Sequence, residues 1–424
     1  MTVTQDSTRA VSGRHRTTSS GRAVPVVARR VGKSLIALLS ATVLLAMGYY
    51  RYTYNSLDNG LHRVAVGGLG STPTPAAGAT VTHVDGTAQN LLIIGNDSRA
   101  GLSAADAKKL HVGNGSSVDG TDSTDTLMVV HVPADGSKAT LISIPRDSYV
   151  DIPGFQSAKI NAAYADGYYY GTDGFPVTSS STTEQRQAAG LTLLIQVIKN
   201  LTGLAIDHYV MVNFIGFYDI AKAIGGISVN LCHAVNDSTA RNEAAGNGAV
   251  GSGFVMSAGR HDLTPVQSLK FVRQRHFLPN GDLDREARQR YFLAAAFQKV
   301  ESAGTLLSPG KLNSLISAVK KTLTLDDRIS LPDLARQMNE LTGSHIVGQT
   351  IPNDGTQMIG DQSVIVVDPA TVQAQIQKWL NPTPSGSSGS SASSTAGSTS
   401  SGSSSASSAG STSTPTAASK GCIN

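Results

Sequence analysis

Leu91-Leu-Ile-Ile-Gly95, Thr126-Leu-Met-Val-Val-His-Val132, Pro133-Ala-Asp-Gly-Ser137 and Lys138-Ala-Thr-Leu-Ile-Ser-Ile144 together decide the fold. The three apolar runs are short, rich in Leu, Ile and Val, and bounded by turn residues. That is the pattern of strands covered on both faces. Pro-Ala-Asp-Gly-Ser makes the last two a hairpin. Working outward, Ala189, Leu193, Leu194, Val197, Ile198 and Leu201 follow helical spacing over residues 187–201, and His208 to Asn213 reads as the next strand. Helices are expected at 214–224, 264–273, 284–302, 310–321, 331–342 and 370–380, and strands at 345–351 and 363–367. Alternating strands and helices predict an α/β domain of three layers, a sheet with helices on both faces.

Around this domain the composition changes sharply. Of the 424 residues only 15% are charged, against about 25% in an ordinary soluble domain. The formal net charge of +4 sits at the ends. Residues 1–34 carry +6, residues 381–424 carry only Lys420, and the stretch between sums to −3. A whole-surface nucleic-acid binder is therefore not supported.

Residues 35–50 are uncharged and apolar, preceded by Arg29, Arg30 and Lys33 and ending in Tyr49 and Tyr50, with Tyr52 and Tyr54 just beyond. They read as a membrane anchor with a basic cytoplasmic side and an aromatic belt. Ala46-Met47-Gly48 offers the competing reading, a cleaved signal peptide, but would cut inside the apolar run. The expected organisation is a basic cytoplasmic segment at 1–33, a transmembrane anchor at 34–51 and a stalk at 52–86. An extracellular domain at 87–382 and a disordered tail at 383–424, about half Ser, complete it. Cys232 and Cys422 have no metal-ligand spacing and read as a buried thiol and a tail thiol, with a pairing left open.

In a charge-poor domain the clustered charges carry information. Gly95-Asn-Asp97-Ser-Arg99 follows the first strand, and Ser123-Thr-Asp125-Thr126 precedes the second. Two carboxylates at one sheet edge suit a hard divalent cation such as Mg²⁺, although each aspartate alone reads as a turn residue. Ile144-Pro-Arg146-Asp147 and Lys159-Ile-Asn161 follow. Next come Phe271-Val-Arg273-Gln-Arg275-His276 and Asp282-Leu-Asp284-Arg285-Glu-Ala-Arg288-Gln289. Arg285, Arg288 and Gln289 share a helix face, Asp284 is placed to cap it, and Arg273 and Arg275 alternate along an extended end. Guanidinium forks match phosphate oxygens bidentately, so a pyrophosphate is the natural partner. The bland alternative is a solvated basic face paired with Asp262, Asp282 and Glu286. His208, His233 and His276 read as structural, and nothing resembles a phosphate-cradling Gly-rich loop or a Ser-His-Asp triad.

In this order the motifs resemble the LytR-CpsA-Psr family of cell-wall glycopolymer ligases over roughly residues 87–382. The resemblance implies a mixed central sheet flanked by helices and an apolar tunnel for a polyprenyl chain. The implied reaction moves a glycopolymer from an undecaprenyl-pyrophosphate carrier to a peptidoglycan muramic-acid hydroxyl, forming a phosphodiester, with Mg²⁺ or another divalent cation such as Mn²⁺. By position, Asp97 and Asp125 would hold the metal. Arg146, Arg273, Arg275 and Arg285 would grip the pyrophosphate with Gln289, joined by Arg99, Arg288 and Lys159, and Asp282 would take the proton of the attacking hydroxyl. Ser123 departs from the family, which often has an arginine there. The apolar faces of helices 187–201 and 214–224 are expected to line the tunnel, with ordinary core as the alternative. The partners implied are the polyprenyl-linked glycan, peptidoglycan and the lipid bilayer, with no nucleic acid. Two other functions remain open: a polyprenyl-pyrophosphate pyrophosphatase, and a non-catalytic, membrane-tethered glycolipid-binding or regulatory protein such as a transcription attenuator.

Overall fold

The computed structural model describes residues 61–70, 88–96, 98, 110, 123–134, 139–237, 251–274, 276–302, 315, 320, 323–329, 347–381 and 421–424. All belong to one compact unit, Leu57–Asn424. The expected cytoplasmic segment, the anchor at 34–51, the helix at 331–342 and nearly all of that at 310–321 lie outside them. Among the described residues no helix is long and apolar enough to cross a membrane.

The strands in chain order are β1 (His62–Arg63), β2 (Gln89–Asn96), β3 (Thr124–Val132), β4 (Thr140–Ile144), β5 (Ser148–Val150), β6 (Ala158–Lys159), β7 (Gly171–Thr172), β8 (Phe175–Pro176) and β9 (His208–Asn213). They continue with β10 (Ile227–Leu231), β11 (Val235–Asn236), β12 (Val255–Met256), β13 (Gly259–Leu263), β14 (Leu323–Leu325), β15 (Val347–Thr350), β16 (Thr356–Ile359) and β17 (Gln362–Val366). The described helices are α1 (Ala162–Tyr170), α2 (Thr183–Thr202), α3 (Phe214–Ala223), α4 (Pro265–Arg273), α5 (Asp282–Ser302) and α6 (Pro369–Leu380).

The main sheet has the order β1-β14-β9-β2-β3-β4-β15. It is mixed: β2 runs parallel to β9 and antiparallel to β3, β3 and β4 form the expected hairpin, and β4 runs parallel to β15. A smaller sheet, β16-β17-β5-β6, continues from the end of β4. Side-chain alternation divides the core. Leu92 and Ile94 of β2 join Leu127, Val129, Ile142 and Ile144 under α2, whereas Leu91, Met128, Val130 and Leu141 face the other way.

Helix α2 begins in a capping box, where the Gln185 N–H donates to Thr182 Oγ1 and the Thr182 N–H to Gln185 Oε1. It ends at Gly203 in the left-handed region, φ 72°. Two glycines let α1 and α2 touch backbone to backbone. A Cβ at Gly190 would stand 2.6 Å from the Tyr164 carbonyl oxygen, and one at Gly167 2.7 Å from that of Ala189.

Three expectations change. The stalk is shorter than 52–86: β1 pairs with β14, Val64 is buried, and the Gly70 N–H donates to the Ile206 carbonyl at 2.7 Å. Leu191, Leu193, Leu194 and Ile195 of α2 have no exposed surface, so this helix is ordinary core rather than the wall of an open tunnel. The last four residues are not part of a disordered tail. Cys422 is disulfide-bonded to Cys232, and Ile423 is buried and bridges Leu231 in parallel. The bond closes a loop of 190 residues, which in the chain-entropy view stabilises the fold by about 5 kcal/mol.

Candidate functional site

One end of the main sheet collects the clustered charges. Asn96, the last residue of β2, is the Cα partner of Thr124, and Gly95 that of Thr126, so a register shift there leaves Asp125 of β3 without a partner on β2. β4 ends at Ile144, and Pro145 begins a tight turn in which the Ser148 N–H donates to the Pro145 carbonyl at 3.0 Å. Arg146 and Asp147 therefore sit where the chain passes from the large sheet to the small one. Helix α5 begins beside them at Asp282, two residues earlier than expected. Asp284 bonds back to the preceding loop, accepting from the backbone and side-chain nitrogens of Asn280 at 3.0 Å each.

Arg146 is the hub. Its Nη1 donates to Asp125 Oδ1 at 2.7 Å and its Nε to Asp282 Oδ2 at 3.2 Å, with Asp147 Oδ2 at 3.7 Å. Asp282 Oδ2 also accepts from Arg285 Nη2 at 2.8 Å, and Lys159 Nζ lies 3.0 Å from Asp147 Oδ1. Burial opposes the charge on Arg146, but the attraction of Asp125 and Asp282, with Asp147 behind them, outweighs it and raises its pKa. One turn further along α5, Gln289 Oε1 accepts from Thr126 Oγ1 at 2.8 Å and fixes the helix over β3.

The structure thus brings Asp125, Arg146, Lys159, Asp282, Arg285 and Gln289 together. Asp97, Arg99 and Arg275 lie outside the described residues. Arg273 ends α4 and donates to the Leu110 carbonyl at 3.2 Å. Arg288 does not join the cluster. It is 1% exposed, its guanidinium lies over the Phe271 ring at 4.6 Å, and it donates to Gln274 Oε1 and to the Asn424 carbonyl, so a pyrophosphate would have to displace a packed core contact. Ser123, the departure from the resembled family's frequent arginine, accepts from Asn161 Nδ2 at 3.3 Å.

Glu286 was read only as an exposed counter-charge. It is buried, and neither carboxyl oxygen has a hydrogen-bond partner among the described residues. Burial, reinforced by Asp282, pushes its pKa up to about 8 against the pull of Arg290, Arg285 and Arg146. No composition signal could have found it, because its surroundings are built by the packing of α5 on β4.

The second face of the main sheet carries a core cluster of its own. Ile93, Val210, Val212, Ile220 of α3 and Leu293 of α5 pack around its buried core but remain partly accessible. An apolar, half-buried surface therefore lies beneath the same helix that carries the arginines.

Asp125 fits a divalent cation by donor chemistry: it is a carboxylate at a sheet edge, and its side chain keeps 23% of its surface accessible. Among the described residues no group of three or more His, Cys, Asp and Glu could hold a metal ion.

The model of the LytR_cpsA_psr family matches residues 71–379. Among curated proteins, "Cell wall biosynthesis protein LcpA" of Corynebacterium glutamicum is 34% identical over 365 residues, 82% of this chain and 65% of that protein. "Probable cell wall biosynthesis protein LcpB" of the same organism is 34% identical over 66% of this chain and 57% of its own length. The chain thus spans less than two thirds of both. "Polyisoprenyl-teichoic acid--peptidoglycan teichoic acid transferase TagU" of Enterococcus faecalis is 29% identical over 61% of this chain and 73% of that protein. Among solved structures, protein gbs0355 from Streptococcus agalactiae matches with a TM-score of 0.50 at 20% identity, over 69% of this chain and 88% of that one, a likeness of fold.

Proposed function

The chain belongs to the LytR-CpsA-Psr family, and from that premise we propose that it is a phosphotransferase acting outside the cell membrane, to which residues 34–51 anchor it. It moves a glycopolymer from an undecaprenyl-pyrophosphate carrier to a muramic-acid hydroxyl of peptidoglycan. The hydroxyl oxygen attacks the phosphorus that bears the glycan, a new P–O bond forms, and the P–O bond to the polyprenyl phosphate breaks. The products are a glycan–peptidoglycan phosphodiester and polyprenyl monophosphate.

The observation that carries this reading is the sharing of Asp282 by Arg146 and Arg285, at 3.2 Å and 2.8 Å. Two guanidinium groups from different elements are held side by side by one carboxylate, before any ligand arrives. Such preorganised donors stabilise charge that grows on a departing phosphate, and phosphoryl transfer needs little beyond positioning and neutralisation. Asp282 would also take the proton of the acceptor hydroxyl. Arg273, Arg275 and Gln289 would complete the grip on the pyrophosphate, joined by Lys159 and Arg99. The partly accessible apolar surface of Ile93, Val210, Val212, Ile220 and Leu293 suits the polyprenyl chain.

Asp97 and Asp125 would hold Mg²⁺ or Mn²⁺. When bound, the cation neutralises phosphate oxygens and orients them. The Cys232–Cys422 disulfide supports an oxidising, extracytoplasmic location for the domain.

The test incubates the purified protein with Mg²⁺ and a polyprenyl-pyrophosphoryl oligosaccharide, with and without peptidoglycan fragments. Glycan transferred to the fragments is the expected result. Phosphate release without transfer would make the protein a pyrophosphatase, and binding without turnover a non-catalytic glycolipid-binding protein.

A further inference from the structure

Residues Gly421 to Asn424, separated from α6 by a Ser-rich stretch, return to the domain at a specific place. The Ile423 N–H donates to the Asn230 carbonyl at 2.8 Å and the Cys232 N–H to the Ile423 carbonyl at 3.0 Å, so the segment adds one strand position to the end of β10. Ile423 is 5% exposed in the core shared by β10, β13, α4 and α5. The disulfide fixes the register.

Arg288 meets this segment from α5. Its Nε donates to the Asn424 backbone carbonyl at 2.5 Å, and its Nη1 to the Gln274 side chain and, at 3.4 Å, to the Phe271 carbonyl. Gln274 Nε2 in turn donates to the His276 carbonyl at 2.9 Å, and His276 Nδ1 meets Asp237 Oδ1 at 3.1 Å. Asp237 has no exposed surface and is held by the Ser252 N–H at 2.9 Å and Ser252 Oγ at 2.6 Å. One continuous set of contacts therefore runs from residue 424 through the buried guanidinium to the segment 273–276, which carries Arg273 and Arg275.

We propose that Gly421–Asn424 is a disulfide-clamped strut whose function is to position, through Arg288, both the arginine segment 273–276 and the first turns of α5. Burying a guanidinium is costly without acceptors, and burial pulls the pKa of Arg288 down to about 10. The strut supplies one of three acceptors and closes the fourth side of a box made by Phe254, Phe271 and Gln274. With the strut removed, Arg288 must turn toward water, and Gln274 loses the donor that orients it. What the strut serves rests on the phosphotransferase reading; that it holds the two arginine-bearing elements does not.

The experiment compares the full chain with Cys232→Ser/Cys422→Ser, with Ile423→Asp and with the conservative Ile423→Val. Free-thiol counting on the oxidised wild type comes first, and two reactive thiols would overturn the proposal. Hydrogen exchange is then followed by peptide. In the double serine and Ile423→Asp variants, protection at 271–274 and 285–289 is expected to fall about tenfold or more, while α2, in the opposite core, stays protected and Ile423→Val behaves as wild type. Loss confined to residues 228–232, or none, would overturn it. Binding of inorganic pyrophosphate with Mg²⁺ provides the functional readout. A Kd raised about fivefold to tenfold in the two disruptive variants, restored in Ile423→Val, is expected, and an unchanged Kd would overturn the positioning role. If the wild type itself neither transfers nor binds pyrophosphate, the function reading fails, and the exchange data still judge the strut.

Discussion

Arg146 Nη1 stands 2.7 Å from Asp125 Oδ1, tying the turn after β4 to the first residues of β3. Each residue thereby orients the other, an arginine proposed to hold phosphate and a carboxylate proposed to hold a cation. Replacing Asp125 with Ala is expected to abolish transfer while leaving the melting temperature within a few degrees, because Arg146 keeps Asp282 and Asp147 as partners. Circular dichroism and the transfer assay check it together, and unchanged turnover would refute the assignment of Asp125.

Chelation supplies a second test. EDTA is expected to stop transfer by the wild type, and added Mg²⁺ or Mn²⁺ to restore it. Activity that persists in EDTA would remove the cation from the reaction.

Asp282 is both a clamp for two arginines and the proposed proton acceptor. In Asp282→Asn the loss of the proton acceptor should lower kcat by about 10² or more. If KM for the lipid pyrophosphate rises instead and kcat is kept, Asp282 only positions Arg146 and Arg285.

Glu286 predicts a pH dependence of stability. Its folded pKa of about 8 lies above the ordinary value of 4.5, so the native state binds the proton more tightly than the unfolded chain. Its contribution is fully present below pH 4.5 and is lost as pH rises through about 8. Glu286→Gln should therefore match wild type near pH 4.5 and exceed it at pH 8 and above, by on the order of 2–4 kcal/mol. Thermal melts across that range measure it, and parallel curves for the two proteins would contradict it.

Gly190→Ala should be strongly destabilising, by roughly 2 kcal/mol or more, because its Cβ would meet the Tyr164 carbonyl and α1 and α2 must separate. Denaturant unfolding of the variant checks this, and a midpoint equal to wild type would mean the helices shift at no cost.

Short apolar runs and helical spacing were enough to place the elements around the site. β9 was expected at 208–213 and lies there, and the helices expected at 187–201 and 264–273 appear as α2 and α4 within a few residues. These are legible because strand and helix periods are local properties of a chain. Of the small sheet only β17 was read, expected at 363–367 and found at Gln362–Val366; β5, β6 and α1 were not, since β5 and β6 hold three and two residues and the apolar positions of Ala162–Tyr170 form no clear stripe.

The motifs at 125, 146, 282 and 285 named the residues of the site, because a charge-poor domain makes clustered charge conspicuous. Sequence alone thus determined the α/β class and most of the residues that gather at the sheet edge, where an anionic substrate group is proposed to bind. Tertiary structure decided which arginines join that cluster. Arg285 and Arg288 lie three residues apart on α5, yet one reaches Asp282 at the sheet edge and the other is enclosed by Phe254, Phe271 and the returning residue 424. It decided likewise that Glu286 is buried and that Cys232 finds Cys422 across 190 residues. Such outcomes depend on which surfaces α5 covers and on contacts between distant segments, and neither is encoded in the spacing of any local stretch.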